Sequence, residues 1–394
     1  MMKQTYRLNL PLLGVTEFFS FFGITAFWLL FLSQQGMSLW QIGILESLFH
    51  LTSLLSEVPS GVLADRFTYR RNLFLGRFVT IISALFMIFG NGNFFLYALG
   101  MIFSAWGYNF DSGTSQALLY ETSKELKQES RYLTFTSYLN GISEATRTLG
   151  MVVAGFLVHG WLIYTYHIQI VCSMLGILCI WKIKEPSIKM KKEESQTVLQ
   201  ILKMVYQLFR KQSRLFYQML MVQVMLTLIT MYYFYYQSQL PYLQSWQISL
   251  LMLLSSGCNI LAIYLANKIG QKIKTQLVLW SILGCSGVLF LFTILNNHFV
   301  YAVIFLVSDA LVVLFYPLYE TELQAAFDSK VRATMLSVYA MLGSLAMIIL
   351  FPLMGALIER FGFMSSFFGL GLLLIGLSVL FILIQKNNKR EDFE

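Results

Sequence analysis

Apolar stretches of about twenty residues recur along the whole chain, separated by short polar breaks. A bilayer core of about 30 Å needs roughly 20 such residues per helix, so each stretch predicts one membrane-crossing helix. The predicted spans cover 9–33, 39–63, 72–90, 94–120, 132–158 and 163–183, then 214–238, 246–267, 275–295, 299–322, 332–358 and 363–385. Their apolar runs are continuous, unlike the alternating ten-residue segments of a membrane β-barrel. The first span is too long for a signal-peptide core and lacks a small-residue cleavage site, so it is expected to stay on the chain. The pattern predicts an all-α membrane protein with twelve transmembrane helices.

Residues 184–213 interrupt this pattern with Lys184, Glu185, Pro186, Lys189, Lys191, Lys192, Glu193 and Glu194. They divide the chain into an N-terminal six-helix bundle (1–183), a linker (184–213) and a C-terminal six-helix bundle (214–394). The later part of the linker, Val198 to Phe209, has the pattern of an amphipathic surface helix.

The two halves repeat each other. Trp40-Gln41-Ile42 returns as Trp246-Gln247-Ile248, 206 residues later, and Tyr120-Glu121-Thr122 as Tyr319-Glu320-Thr321, 199 later. Arg131 and Arg332, then Tyr138 and Tyr339, are each 201 apart, while Ala154-Gly155-Phe156-Leu157 and Met354-Gly355-Ala356-Leu357 are 200 apart. Such steady offsets indicate one membrane unit duplicated, the construction by which many transporters make a site that opens to either side.

Composition agrees with a lipid solvent. The 394 residues are 57% hydrophobic and only 12% charged, about half the charged share of a water-soluble domain. The 28 lysines and arginines cluster before span 1, in the 2–3, 4–5, 6–7, 8–9 and 10–11 loops and after span 12, all but Arg147 and Arg360 counting to that side. The positive-inside rule then places both termini and the linker in the cytoplasm, as an even number of spans requires. The net charge of +8 reflects this asymmetry and gives no reason to expect a nucleic-acid partner. Cys172, Cys179, Cys258 and Cys285 fall inside apolar spans without metal-ligand spacing, and His50, His159, His167 and His298 form no HExxH or Cys/His pattern. No metal or cofactor is expected, and the absence of a Walker-type glycine-lysine loop argues against ATP as the energy source.

Several charges fall inside the predicted spans: Glu17, Glu46, Asp111, Glu144, Arg147 and Asp309. Each costs about 2.5–3.5 kcal/mol near the bilayer centre, and six facing lipid would cost on the order of 15–20 kcal/mol in sum. They must therefore face protein or water, as candidate proton or substrate groups. Glu17 sits about 15 Å into span 1 at 1.5 Å per residue, the depth of transporter sites. Glu46 and His50 are one helical turn apart and suit a proton-relay pair; Glu144 and Arg147 are three apart, share a face and can pair. Asp111 and Asp309 lie in spans 4 and 10, equivalent helices of the two repeats. The run Tyr232-Tyr233-Phe234-Tyr235-Tyr236 is open to two readings, a cavity for planar cations or an interfacial belt, with the belt favoured for the residues that face outward.

The loop between spans 2 and 3, Glu57-Val58-Pro59-Ser60-Gly61-Val62-Leu63-Ala64-Asp65-Arg66-Phe67-Thr68-Tyr69-Arg70-Arg71, is the strongest motif in the chain. Gly61 permits close helix contact, Asp65 suits a helix N-terminus, and Arg66, Arg70 and Arg71 offer forked donors to carboxylates. With these residues the chain resembles a transporter of the major facilitator superfamily, whose 2–3 loop motif is Gly-x-x-x-Asp-Arg/Lys-x-Gly-x-Arg/Lys-Arg/Lys; Thr68 stands in place of its second glycine. A weakened echo, Ala266 to Lys272, occupies the second half, with Gln271 at the position of Asp65. Glu57 to Gly61, Asp111-Ser112-Gly113-Thr114 with Ala117 to Glu121, and Arg332 to Ser337 resemble the drug-efflux-like branch. Two of that branch's features are missing: the region Gly141 to Gly155 has no proline, and Trp106 to Asp111 has no arginine.

The resemblance implies two pseudo-symmetric six-helix bundles and alternating access, for which a monomer suffices. Its gating parts would be Gly61, Asp65, Arg66, Arg70, Arg71, Glu121 and Arg332. Asp65 would meet the start of span 11 near Arg332 to Thr334, and Glu121 would pair with Arg70 or Arg71. The activity implied is proton-coupled export of amphipathic or drug-like molecules through the cell membrane, with uptake of a small metabolite as the alternative. A polytopic membrane enzyme would need an acidic or histidine constellation in a long loop, and the one long loop lacks it.

Overall fold

The computed structural model of the chain describes residues 6–66, 68–111, 113–186, 210, 213–327 and 332–391; the side chains of 57–66, 214, 332–334 and 384–391 lie outside that description. Among the described residues all regular secondary structure is helical. Span 1 consists of Asn9–Ser20, a 3-10 turn Gly23–Thr25 and Trp28–Gln34, its two arms bent by 41°. Span 2 is Leu39–Arg66 and span 3 is Tyr69–Phe89. Span 4 is divided into Phe94–Asp111 and Thr114–Glu125, followed by span 5, Tyr132–Gly155, and span 6, Ile163–Lys182. Spans 7 to 10 are Ser213–Tyr235, Ser245–Gly270, Thr275–Leu291 and His298–Ala326. Spans 11 and 12 lie within Arg332–Glu391, broken at Gly362, whose φ of 81° is open to glycine and strained for other residues.

The chain packs as two units, Met1–Met37 with Leu45–Gln207, and Ser38–Ile44 with Leu208–Glu394. Among the described residues, seven helices qualify as membrane-crossing by length and hydropathy alone, one of them the double-length Met335–Leu383. The bent span 1 passes the same test when its two arms are taken together. The expected surface helix from Val198 to Phe209 lies outside the described residues.

The repeated sequence letters have structural causes. Ser38 and Gln41 form a reciprocal pair at the start of span 2, Gln41 Oε1 accepting from Ser38 N at 3.0 Å and Ser38 Oγ from Gln41 N at 3.2 Å. At the start of span 8, Gln244 and Gln247 form the same capping box. The tryptophan-glutamine-isoleucine repeat is thus a helix start written twice, the glutamine returning to satisfy an orphan backbone donor. A second pair of copies precedes spans 4 and 10. Asn91 and Asn296 both take the left-handed conformation, at φ 42° and 46°, while Asn93 and Asn297 accept from the first backbone amides of the helices that follow. Tyr97 and Tyr301, both fully buried, return hydroxyls to these turns.

In the first unit, Asn9 ties the start of span 1 to the ends of spans 4 and 6. Its side chain donates to Thr122 Oγ1 at 3.3 Å and to Lys184 O at 2.8 Å, and accepts from Lys184 N at 2.9 Å. The adjoining Glu185 carboxylate accepts from Tyr69 N and Arg70 N at 2.7 and 3.1 Å, placing a negative charge on the positive end of span 3. Below them Leu13, Leu73, Leu118, Leu119 and Ile180 form a packed cluster drawn from spans 1, 3, 4 and 6. In the second unit, Tyr232, Tyr235 and Tyr236 are buried in an aromatic core with Phe290, Phe351 and Phe367. Tyr232 and Tyr235 donate to the carbonyls of Tyr301 and Phe351 at 3.1 and 2.6 Å. These three tyrosines are therefore neither an interfacial belt nor the lining of a cavity for planar cations. The phenols of Tyr232 and Tyr235 find their hydrogen bonds inside the bundle, which the letter pattern alone does not reveal.

Spans 1 and 5 meet backbone to backbone at Gly23 and Gly150. A Cβ added to Gly150 would lie 2.7 Å from Ile24 N, whereas one added to Gly141 meets nothing within 4 Å. Gly150→Ala is expected to destabilise the protein by about 1–3 kcal/mol despite alanine's better helix propensity. Gly141→Ala is expected to leave stability unchanged or raise it by up to about 1 kcal/mol. Thermal unfolding of the two detergent-purified variants measures the contrast; equal melting temperatures would contradict the close packing of spans 1 and 5.

Candidate functional site

Span 4 is interrupted where its charge lies. The first piece ends at Asp111, and Gly113 turns the chain with φ 77° before the second piece begins at Thr114. Inside a bilayer an interrupted helix is tolerated only where the freed backbone groups find partners. Thr114 Oγ1 supplies one by donating to Phe110 O at 2.8 Å. The break lets the residues on its two sides serve one cluster, Asp111 from the first piece and Ser115 from the second.

At the centre of that cluster is Arg77 of span 3, 5% exposed, eight residues into its helix and so about 12 Å from the helix start. Its Nη2 forms an ion pair with Asp111 Oδ2, and its charge also acts on Glu17 of span 1. Glu17, 6% exposed, accepts from Ser143 Oγ of span 5 at 3.0 Å and from the Ser115 hydroxyl. Small residues make the space. A Cβ on Gly76 would come within 3.1 Å of Asp111 Oδ1, and the Arg77 stem runs past Gly176 of span 6, where a Cβ would lie 3.6 Å from Cδ. One buried cation on span 3 thus faces two carboxylates, from spans 1 and 4, with a hydroxyl of span 5 beside them.

Arg77 is the residue that reading the sequence missed. It follows Arg70 and Arg71 closely and was counted with the cytoplasmic loop; the structure removes it from that set and buries it. The signal was its distance of two helical turns past the start of span 3, between Gly76 and an apolar run.

The second unit repeats the positions without the charges. At the 206-residue offset Glu17 corresponds to Gln223, whose Nε2 donates to Tyr339 O at 3.0 Å in span 11. Arg77 corresponds to the buried Leu283, and at the 200-residue offset Asp111 corresponds to Leu311. Asp309 has a different counterpart, Asn109, again 200 residues away. Asn109 exchanges hydrogen bonds with Ser53 and Ser56 of span 2, at 2.9 and 2.7 Å. Asp309 accepts from Ser255 and Asn259 of span 8, at 3.2 and 2.8 Å. The junction between the second and fourth helices of each unit is therefore neutral in the first unit and acidic in the second.

Other candidates stand apart from this cluster. Glu46 Oε1 and His50 Nε2 are 3.4 Å apart on span 2, with His50 edge-on to Phe49. Glu144 takes two bonds from Arg147 Nη2, at 2.8 and 2.6 Å, on span 5. The expected partnership of Glu121 with Arg70 or Arg71 is not formed among the described residues. Glu121 Oε2 is buried without a hydrogen bond there, and the start of span 3 is met instead by Glu185. The surroundings of Gly61 and the side chains of Asp65, Arg66 and Arg332 lie outside what the structure describes, so it describes no contact of Asp65 with span 11. No group of three or more His, Cys, Asp or Glu residues is placed to hold a metal ion among the described residues. Apolar clefts, one of about 520 Å³ along spans 1 and 5 and one of about 710 Å³ along spans 9, 10 and 12, contain none of the charged groups.

A family model of the Major Facilitator Superfamily matches residues 12–350. The chain belongs to that superfamily and is a multi-pass membrane transporter rather than an enzyme. Among solved structures it is similar to the nucleoside transporter NupG, with a TM-score of 0.77 at 12% identity, covering 97% of this chain and 99% of that one. It is also similar to a POT family transporter in complex with a thioalcohol-conjugated peptide, with a TM-score of 0.72 at 11% identity and 96% of each chain covered. A D-xylose-proton symporter follows at 0.67 and 13%, again over 96% of each chain. At these identities the likeness is one of fold. No curated protein matches the sequence.

Removing Arg77 leaves two buried carboxylates without their cation, a loss that costs about 3–5 kcal/mol for a buried pair. Arg77→Gln is therefore expected to lower the melting temperature sharply, and Asp111→Asn added to it is expected to restore part of the loss. A double-mutant cycle by thermal unfolding measures this coupling. Strict additivity of the two substitutions would show that the ion pair is not made.

Proposed function

We propose that the protein is a proton-coupled secondary transporter that works by alternating access and exports amphipathic, drug-like molecules. It would do so across the cell membrane with both termini in the cytoplasm. The observation that carries proton coupling is the count of charges at the break in span 4. Arg77 balances one of the two carboxylates, and the other is left as the group placed to take and release a proton. Asp111 holds the ion pair, so Glu17, held by neutral hydroxyls of Ser143 and Ser115, is assigned the proton.

The chemistry follows from sharing one cation. With a proton on Glu17, the guanidinium belongs to Asp111 and spans 3 and 4 are locked together. When the proton leaves, Glu17 competes for Arg77 and draws span 1 toward the same cation. Protonation thereby changes which helices Arg77 ties, and the non-helical turn at Gly113 lets the two pieces of span 4 respond differently. A ligand or proton shifts a two-state equilibrium only through such a difference between the states.

Export rests on the resemblance of the segments around Glu57 to Gly61, Asp111 to Thr114 and Arg332 to Ser337 to the efflux-like branch. In the same reading Gly61, Asp65, Arg66 and Arg332 form the cytoplasmic latch, with Arg70 and Arg71 at its edge. Proton-coupled uptake of a small metabolite is the second reading. It is favoured by the similar folds of a nucleoside transporter, a peptide-bound POT family transporter and a D-xylose-proton symporter. The exposed ionic pair of Glu144 and Arg147, suited to a polar solute, favours it too.

Reconstitution into proteoliposomes with an imposed pH gradient and a panel of dyes and metabolites tests the proposal. The wild type is expected to move solute against its gradient, with proton flux in the opposite sense for export and the same sense for uptake. Glu17→Gln is expected to abolish proton-driven accumulation while keeping solute exchange at equal pH. Proton-driven accumulation by Glu17→Gln at the wild-type rate would overturn the assignment of the proton. Asp65→Asn is expected to abolish transport in a protein that is still inserted; transport at the wild-type rate would remove the latch.

A further inference from the structure

Glu144 and Arg147 lie midway along span 5, yet they remain open, with side-chain exposures of 43% and 54%. They continue a polar stripe, Ser137, Asn140 and Gly141, that recurs at helical spacing on one exposed face of the span. A charged stripe at this depth faces water rather than acyl chains. An exposed pair three residues apart adds little to a helix, far less than two charges cost to carry into the membrane. The second unit dispenses with it: at the 200-residue offset the positions are Ser344 and Met347. Helix stability thus gives no account of this pair.

We propose that Glu144 and Arg147 are a binding site for a zwitterionic solute, one that carries an anionic and a cationic group on the same small molecule. The two residues are already paired, with Arg147 Nη2 serving both carboxylate oxygens. A solute with one charge answers only one of the two partners and leaves the other without its counter-ion, so it gains less than a molecule that answers both. A zwitterion replaces both partners at once: its carboxylate or phosphate takes the arginine fork and its ammonium takes Glu144. The site discriminates against singly charged molecules by that difference. The inference rests on the transport reading for the solute's passage, but not for its binding.

The test uses the full-length protein in detergent and matched probes built on glycine, phenylalanine and dialanine. Each skeleton is presented as the free zwitterion, the N-acetylated anion and the C-terminal amide cation. Thermal shift and equilibrium binding are expected to favour at least one zwitterion over its two blocked forms by about tenfold or more. That preference is expected to vanish in Glu144→Gln and in Arg147→Gln, and to return in the exchanged variant Glu144→Arg with Arg147→Glu. Equal affinity for blocked and free forms, a preference unchanged in the single variants, or a panel in which no zwitterion binds would each overturn the proposal. Zwitterion binding without flux in proteoliposomes under any gradient would uphold this site and remove the transport reading instead.

Discussion

A guanidinium inside a bilayer must be held by something negative, and the first unit is arranged around that requirement. Arg77 is buried at the depth of span 3 where water cannot serve it, and Asp111 meets it from span 4. Glu17 adds a second carboxylate from span 1, and hydroxyls from Ser115 and Ser143 complete its surroundings. Four helices are thereby tied to one charge. The glycines at 76 and 176 follow from the same requirement, since the pair needs space between closely packed backbones.

The break in span 4 belongs to this arrangement. A continuous helix would place Asp111 and Ser115 one turn apart on one face, at a fixed separation. The left-handed turn at Gly113 frees that separation, and Thr114 satisfies the backbone oxygen that the break exposes. The second unit has Gln223, Leu283 and Leu311 at the corresponding positions and an unbroken span 10. Duplication therefore conserved the scaffold (capping glutamines, left-handed asparagines, buried tyrosines) while the charged centre was kept on one side. The acidic junction of Asp309 with Ser255 and Asn259, neutral in the first unit, shows the same division run in the opposite sense.

Much of the fold was legible because the bilayer writes in long words. Twenty apolar residues, repeated twelve times with a steady offset, leave little freedom for another architecture. The repeated Trp-Gln-Ile triplet was visible as letters, and its cause, a capping box, required only local geometry. The candidate site was half legible. Glu17, Asp111 and the pairing of Glu144 with Arg147 followed from depth and helical spacing, but Arg77 was hidden by its nearness to Arg70 and Arg71. A loop-based charge count cannot tell the last cytoplasmic arginine from the first buried one. The tyrosines at 232, 235 and 236 misled for a related reason: an aromatic near a helix end suits an interface, and only tertiary packing shows it turned inward. The pairing expected of Glu121 is not formed among the described residues, and Glu185, from beyond span 6, caps the backbone start of span 3. Contacts across more than a hundred residues leave no local trace in sequence.

The central claim is that one carboxylate in the Arg77 cluster, that of Glu17, exchanges a proton while Asp111 stays ionised beside its cation. Infrared difference spectroscopy of the protein in lipid, recorded between high and low pH, reads protonated carboxyls directly through their carbonyl stretch. The account predicts a protonated-carboxyl band that titrates in the wild type, is missing in Glu17→Gln and weakens in Asp111→Asn, where Glu17 becomes the carboxylate that Arg77 holds. A band unchanged by Glu17→Gln, or one lost only in Asp111→Asn, would contradict it.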